Sequence, residues 1–258
     1  MERAEYDKLD QTEDRMWWFA ATHANLLLLH RMAVHDSGVS GVGAPLLDAG
    51  CGTGGLLTRI AAAYPRRPVI GLDADDTACA RAASKSAQPV CAGSVNALPF
   101  ADRAFGTIFS ADVLCHRDVD ERAALGQFYR CLRDDGLLIL NLPAYRWMLS
   151  RHDSAVYNAR RYSRRGLVRL LQTAGFRLLF ASYWNVVLFP IMVLTRKLLP
   201  GGPAPTSDVR LYPAPVEALC RAATALERRL LGLGIRFPFG GSLIAVATKD
   251  AGRGAAHA

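Results

Sequence analysis

Gly50, Gly52 and Gly55 in the stretch LLDAGCGTGG (46–55) stand in G-x-G-x-x-G spacing, and Gly54 extends the series. Glycines so placed let a loop turn sharply and bring its backbone close to a ligand, because no Cβ intervenes. A helix opening at the loop would offer its free N–H groups to the same ligand. Asp73 closes the apolar run VIGLD about 20 residues on, where a carboxylate can accept hydrogen bonds from both hydroxyls of a ribose. Two kinds of ribose ligand then divide on charge. A dinucleotide brings a pyrophosphate, which Asp48 at the strand end would repel. A phosphate-free donor carrying positive charge would be held by that carboxylate.

Other residues point to chemistry on an acceptor. His116, in ADVLCH, follows an apolar run and suits a general base for a hydroxyl acceptor, or a hydrogen-bonded structural histidine. The stretch RHDSAVYNARRYSRR (151–165) offers His152, Tyr157, Arg160, Arg161 and Tyr162 to a polar or anionic acceptor, since arginine recognises carboxylate and phosphate through paired donors. The alternative is that Arg161 and Tyr162 clamp their own loop. Trp17 and Trp18, followed by Phe19, present aromatic faces that suit a cation or an apolar acceptor, or simply pack a helix. The six cysteines form no C-x-x-C pair, so neither a zinc site nor a disulfide framework is expected, and no metal is assigned.

These residues need a scaffold. Short apolar runs at 45–49, 68–73, 89–93, 105–111 and 137–142 alternate with helical patterns at 54–64, 75–87, 118–133 and 163–174. Runs that do not alternate strictly suit strands buried on both faces, hence a parallel sheet covered by helices. Asp75 or Asp76 is placed to cap the second helix and Ser163 the last. Asp134-Asp135-Gly136 reads as a helix stop. Segments 176–184 and 241–248 read as a sixth and a seventh strand. An N-terminal helix is expected over 11–35, a loop over 36–45 and a disordered tail over 251–258.

Between the last two strands lies an insertion. Its run VVLFPIMVLTRKLLP (186–200) is too short to span a bilayer, which needs about 20 apolar residues. A Pro/Gly-rich linker follows. Then an amphipathic helix at about 215–231 carries Val216, Leu219, Ala223, Leu226 and Leu230 at helical spacing. Residues 151–236 hold 14 Lys/Arg against four Asp/Glu, a surplus larger than the whole chain's net +8. That charge suggests an anionic partner or a solvated surface. The run 186–199 could lie on a membrane, shape an apolar pocket or pack on the core. With the charge around it, the hypothesis is peripheral contact of 186–235 with an anionic membrane, at the inner face of a cytoplasmic setting, or a lipid-like acceptor. Nucleic acid is disfavoured, because SADVLCH has no N-P-P-Y segment against which a flipped base would stack. The chain's start shows no secretory signal.

The motifs in order resemble those of class I S-adenosylmethionine (SAM)-dependent methyltransferases of the type 11 kind. LLDAGCGTGG with VIGLDAD resembles motif I and the acidic segment after it. GSVNALPFADRAFGTIFSADVLCHRDVDERAALGQFYRCLRDDGLLILNLP (93–143) resembles the family's D-A-x-x-L-P-F, F-D-x-V and R-x-L-x-P-G-G segments. The likeness covers about 1–185 and 240–248. Trp17-Trp18-Phe19, R-R-Y-S and AGF resemble a bacterial W-W-F subgroup.

The resemblance implies a Rossmann-like α/β fold. Its seven-stranded sheet has strand seven antiparallel, helices on both faces and an α-helical insertion between strands six and seven. It divides the chain into a helical lid (1–44), a SAM-binding core (45–185), a substrate- or membrane-facing insertion (186–240) and a last strand (241–250). It places Asp48, Ala49, Gly50, Cys51, Gly52 and Gly54 along the methionine part of SAM. Asp73 falls on the ribose, Ala74, Ser94 and Val95 on the adenine, and Ser110 near the amino end. Gly106 and Cys115 depart from the usual Asp and a frequent Glu, and Ser94 from the common Asp. The implied reaction moves the SAM methyl to a small-molecule acceptor, apolar or lipid-like, leaving S-adenosylhomocysteine. A nucleic-acid or protein methyltransferase and a non-catalytic SAM-binding protein are the alternatives.

Overall fold

The computed structural model describes residues 3–37, 43–197 and 208–249. Two helices lead in, α1 (Arg3–Thr12) and α2 (Trp17–Ser37). The core then alternates β1 (Leu46–Ala49), α3 (Gly55–Ala63), β2 (Val69–Asp73), α4 (Asp76–Ser86), β3 (Val90–Ala92), β4 (Phe105–Ala111), α5 (Glu121–Cys131) and β5 (Leu132–Pro143). A 3-10 turn (Arg146–Met148), α6 (Arg151–Ala155), α7 (Arg164–Thr173) and β6 (Phe176–Trp184) follow, then α8 (Phe189–Lys197), α9 (Ala214–Gly232) and β7 (Ser242–Lys249). The disordered tail expected at 251–258, residues 200–207 of the linker and residues 38–42 of the loop expected over 36–45 lie outside the described residues.

One seven-stranded sheet runs in the order β3-β2-β1-β4-β5-β7-β6. Only β7 runs antiparallel, against β5 and β6. Strand order reverses between β1 and β4, and in an open α/β sheet ligands bind beyond the carboxyl ends of the strands at such a point. The strands are apolar on both faces because both are covered. Leu47, Ile108, Leu138 and Leu140 meet Leu125 and Phe128 of α5 and Leu167 and Leu171 of α7. Leu46, Phe109, Ile139 and Val246 meet Leu26 and Leu29 of α2 and Leu57 and Ile60 of α3. Asp75 caps α4 by accepting from the Ala78 amide at 2.9 Å, and Ser163 caps α7 through Gly166 at 3.1 Å.

Two expectations are corrected. The single helix at 11–35 is two helices, because the chain turns at 13–16 to bury the Glu13 side chain. Residues 134–136 do not stop a helix outside the sheet; they lie within a long β5 whose register with β4 shifts near Phe105. The helix expected at about 215–231 is present as α9, and its orientation is unusual. Its buried side chains are Glu217, Cys220, Thr224, Glu227 and Leu231, whereas Val216, Leu219 and Leu226 are 41%, 68% and 55% exposed. The polar face is inside because its carboxylates satisfy backbone donors. Glu217 accepts from the amides of Trp17 and Tyr212, and Glu227 from those of Val186 and Val187. α9 therefore clamps α2 and the exit of β6 while its apolar stripe faces out.

Candidate active site

At the carboxyl end of β1 the glycine loop closes onto β2. The amides of Gly50 and Cys51 donate to the Leu72 carbonyl at 2.7 and 2.9 Å. Gly50, Gly52 and Gly54 all have positive φ, and a Cβ on Gly50 would meet Val113 at 2.2 Å. The Gly52 amide donates to Asp73 Oδ2 at 2.8 Å and the Asp75 amide to Oδ1 at 3.1 Å, so Asp73 is fixed against the loop. Ala74 and Ser94 are exposed at the rim beyond β2 and β3, Val95 is in the core, and Ala49 and Cys51 are buried in the turn.

Three carboxylates gather here. Asp48 is buried, and burial followed by Asp73 and Glu13 pushes it up to about 8. Its Oδ2 has no hydrogen-bond partner, and neither has the buried hydroxyl of Ser110 at the end of β4. Burial raises Asp73 as well. Glu13, which no motif singles out, accepts from Thr53 Oγ1 at 2.7 Å and from Lys85 Nζ at 2.5 Å. Its partners are 40 and 72 residues away, so no local pattern could reveal it. α1 lies across the loop: Tyr6 donates its hydroxyl to Asp73, and Leu9 sits 3.5 Å from where a Gly52 Cβ would be. Buried acids with an unpartnered oxygen suit a cationic ligand and oppose a phosphate.

The acceptor side starts after β4. Asp112, with a left-handed φ of 56°, is half-buried, and desolvation pushes its carboxyl up to about 7. Asn141 donates to Asp112 Oδ2 at 2.8 Å and accepts from Trp184 Nε1 at 2.8 Å. Trp18 stacks on Trp184 with ring centroids 6.4 Å apart. Asp112 and Asn141 were missed by sequence reasoning. A carboxylate just past a strand end, like Asp48 and Asp73, was the available signal.

His116 is half-buried and burial lowers its pKa, which favours the neutral ring. Its Nδ1 accepts from the Asp118 amide at 3.4 Å, and its ring meets Tyr157 edge-on at 5.9 Å. Arg117 covers the other residue of that pair, 3.6 Å from the Tyr157 ring centroid.

The remaining residues separate from this group. Arg161 and Asp153 form a buried ion pair at 2.8 Å, with Arg161 also donating to the Ala144 carbonyl. Tyr162 is buried and donates to the Leu114 carbonyl at 2.9 Å. These polar atoms are committed to the protein's own loop, as in the clamping alternative for Arg161 and Tyr162. Arg160 donates to the His116 carbonyl at 2.7 Å and pairs with Glu121. His152 Nδ1 accepts from the Asp208 amide, and burial lowers the ring to about 4. Trp17 is tied to α9 through its amide.

Beyond the ends of β5 and β6 stands an aromatic wall. Tyr145 stacks on Tyr183 at 5.1 Å, Phe189 touches both Tyr145 and Trp147, and Phe239 lies 6.2 Å from Phe189.

Residues 47–140 match the family model described as a methyltransferase domain. No curated protein matches the chain in sequence. Among solved structures, a SAM-dependent methyltransferase from Thermotoga maritima is similar at TM-score 0.58 and 17% identity, covering 96% of each chain. Geranyl diphosphate C-methyltransferase from Streptomyces coelicolor is similar at TM-score 0.53 and 14% identity, covering 80% of this chain and 74% of that one. A [4+2]-cyclase has TM-score 0.52 and 20% identity, covering 80% and 75%. At such identities the likeness speaks for the fold, which hosts more than one chemistry.

Proposed function

We propose that this chain, which carries a class I SAM-dependent methyltransferase domain over residues 47–140, methylates a small-molecule acceptor with an apolar, lipid-like body, met at the cytoplasmic surface of an anionic membrane. When bound, SAM supplies an activated methyl group, so the protein's contribution is mainly position and electrostatics. Asp73 would hold the ribose and the Asp48–Glu13 side of the loop the cationic end. Ala74, Ser94 and Val95 would border the adenine.

The observation that carries the acceptor reading is the outward apolar stripe of α9. Val216, Leu219, Leu226 and Leu233 are exposed at helical spacing, Leu233 by 76%. Arg221, Arg228 and Arg229 share that helix. An apolar stripe beside arginines suits a helix lying in a headgroup layer. α8 adds Ile191 and Leu194, 60% and 48% exposed, and ends in Arg196 and Lys197. No described helix is long and apolar enough to cross a membrane. α8 leads off the carboxyl end of β6, so the aromatic wall of Tyr145, Trp147, Phe189 and Phe239 offers an apolar acceptor a path toward the sheet edge.

The acceptor's proton, where it has one, would leave through a group after β4. His116 keeps the candidacy its neutral ring supports, and half-buried Asp112 joins it. Incubating the protein with methyl-labelled SAM and separate lipid and aqueous cell extracts tests the reading. Label is expected in the lipid fraction, and label confined to water-soluble products would overturn the apolar acceptor.

A further inference from the structure

The opposite end of the sheet holds a cavity of about 750 Å³, within the size range of small-molecule sites. Its floor is the start of β4 at Thr107 and Leu137 of β5; Val34 of α2 and Ala63 and Tyr64 after α3 form apolar walls. It lies at the amino ends of the strands, away from the glycine loop.

Its charge is one-sided. Arg31, Arg66 and Arg67 line it, with no carboxylate among the described lining residues. Arg67 donates Nε to the Ala44 carbonyl at 2.8 Å, which fixes the guanidinium, yet its shielded Nη2 has no hydrogen-bond partner among the described residues. Arg31, Arg66 and Arg67 make no ion pair among the described residues. Arg228 of α9 is close enough for Arg229 and Arg31 to depress it beyond the effect of its burial, so like charges crowd this face. The other polar groups are satisfied without an external partner. His30 is buried between the Tyr64 hydroxyl at 2.5 Å and Thr107 Oγ1 at 3.1 Å. A buried guanidinium nitrogen without an acceptor is costly, and an oxyanion is what its paired donors fit.

From the unpartnered Nη2 of Arg67, the arginines beside it and the apolar walls below, we infer that this cavity is a second binding site, for an amphiphile whose anionic head meets the arginines and whose hydrocarbon chain enters the cavity. The shared chemistry covers a free fatty-acid-like anion and the anionic lipid of a membrane. The site is separate from methyl transfer and does not depend on the acceptor reading.

Calorimetric titration of the full chain with decanoate tests it, with acetate, inorganic phosphate and 1-decanol as comparisons. Decanoate is expected to bind once per chain, and acetate, phosphate and decanol each at least about tenfold more weakly, since each lacks either chain or charge. Arg67→Gln, the exposed Arg31→Gln, and Val34→Trp, which fills the cavity, should each weaken decanoate about tenfold. Asp73→Ala and saturating SAM should leave it unchanged. Displacement of decanoate by phosphatidylglycerol vesicles would identify a membrane lipid as the source, and persistence beside them a free amphiphile; either agrees with the site. Binding indifferent to both Arg31→Gln and Arg67→Gln, equal binding of acetate, or displacement by SAM would overturn it. Circular dichroism of each variant separates lost binding from lost fold.

Discussion

The Gly52 amide donates to Asp73 Oδ2 across 2.8 Å, so the glycine loop and the carboxylate proposed to hold the ribose are one unit. Asp73→Ala removes a ribose acceptor and also releases the loop. Hydrogen bonds to a charged group contribute about 1.5–3 kcal/mol each, so SAM affinity should fall at least about tenfold. Asp73→Asn keeps one acceptor and should fall less. Calorimetry with SAM reads both, and equal affinity in wild type and Asp73→Ala would remove Asp73 from the site.

Asp48 gives the site a pH dependence. Its carboxyl is pushed up to about 8 by burial, so it holds its proton at pH 6 and releases it above pH 8. A cationic ligand favours the ionised form. SAM should therefore bind more tightly as pH rises from 6 to 8, by up to about tenfold per unit, and Asp48→Asn should flatten that rise. Stability moves the other way. The folded pKa lies above the unfolded value of about 3.9, so the stabilisation is complete below that value and lost as pH rises toward 8. Urea unfolding without SAM should show wild type losing stability between pH 5 and pH 8 relative to Asp48→Asn.

Much of this site was legible because its signals are local. The glycines, Asp48 and Asp73 are strand-end residues of short βα units, and the turn that positions them is written within a few residues. Asp75 and Ser163 as caps were legible for the same reason. What escaped depends on distant partners. Glu13 is buried because Thr53 and Lys85 are there to receive it, and Asp112 gains its meaning from Asn141, 29 residues away. The orientation of α9 was not legible, because periodicity reports which residues share a face, not which way it turns. Two glutamates capping foreign backbone amides turned it outward.

The loop formed by residues 144–162 should prove structural. Arg161 and Asp153 are paired at 2.8 Å with side chains 3% and 2% exposed. Arg161→Ala strands a buried carboxylate, which costs about 3–5 kcal/mol. Arg161→Lys should recover only part, since lysine cannot reach both Asp153 and the Ala144 carbonyl in the guanidinium's geometry. The urea midpoint checks this. A stability change under about 1 kcal/mol with a large rise in acceptor KM would return Arg161 to the acceptor site.

The α9 stripe makes a prediction in which fold and function separate. Leu219 and Leu226 are 68% and 55% exposed, so Leu219→Glu with Leu226→Glu removes little buried surface, and surface substitutions usually change stability by about 0.5 kcal/mol or less. The same changes place two anions in the middle of the stripe. Flotation with phosphatidylglycerol vesicles should therefore fall at least about tenfold, because apolar insertion and attraction to the anionic surface are lost together. SAM affinity should hold, since neither residue lies near the glycine loop. If α9 instead pairs with a second copy of the chain, the double variant would shift the sedimentation of a dimer to that of a monomer and leave flotation as it was. That result would reject the membrane reading of this helix, whereas loss of flotation by a wild-type monomer and its variant alike in 0.5 M salt would show that charge, rather than the leucines, holds the protein at the surface.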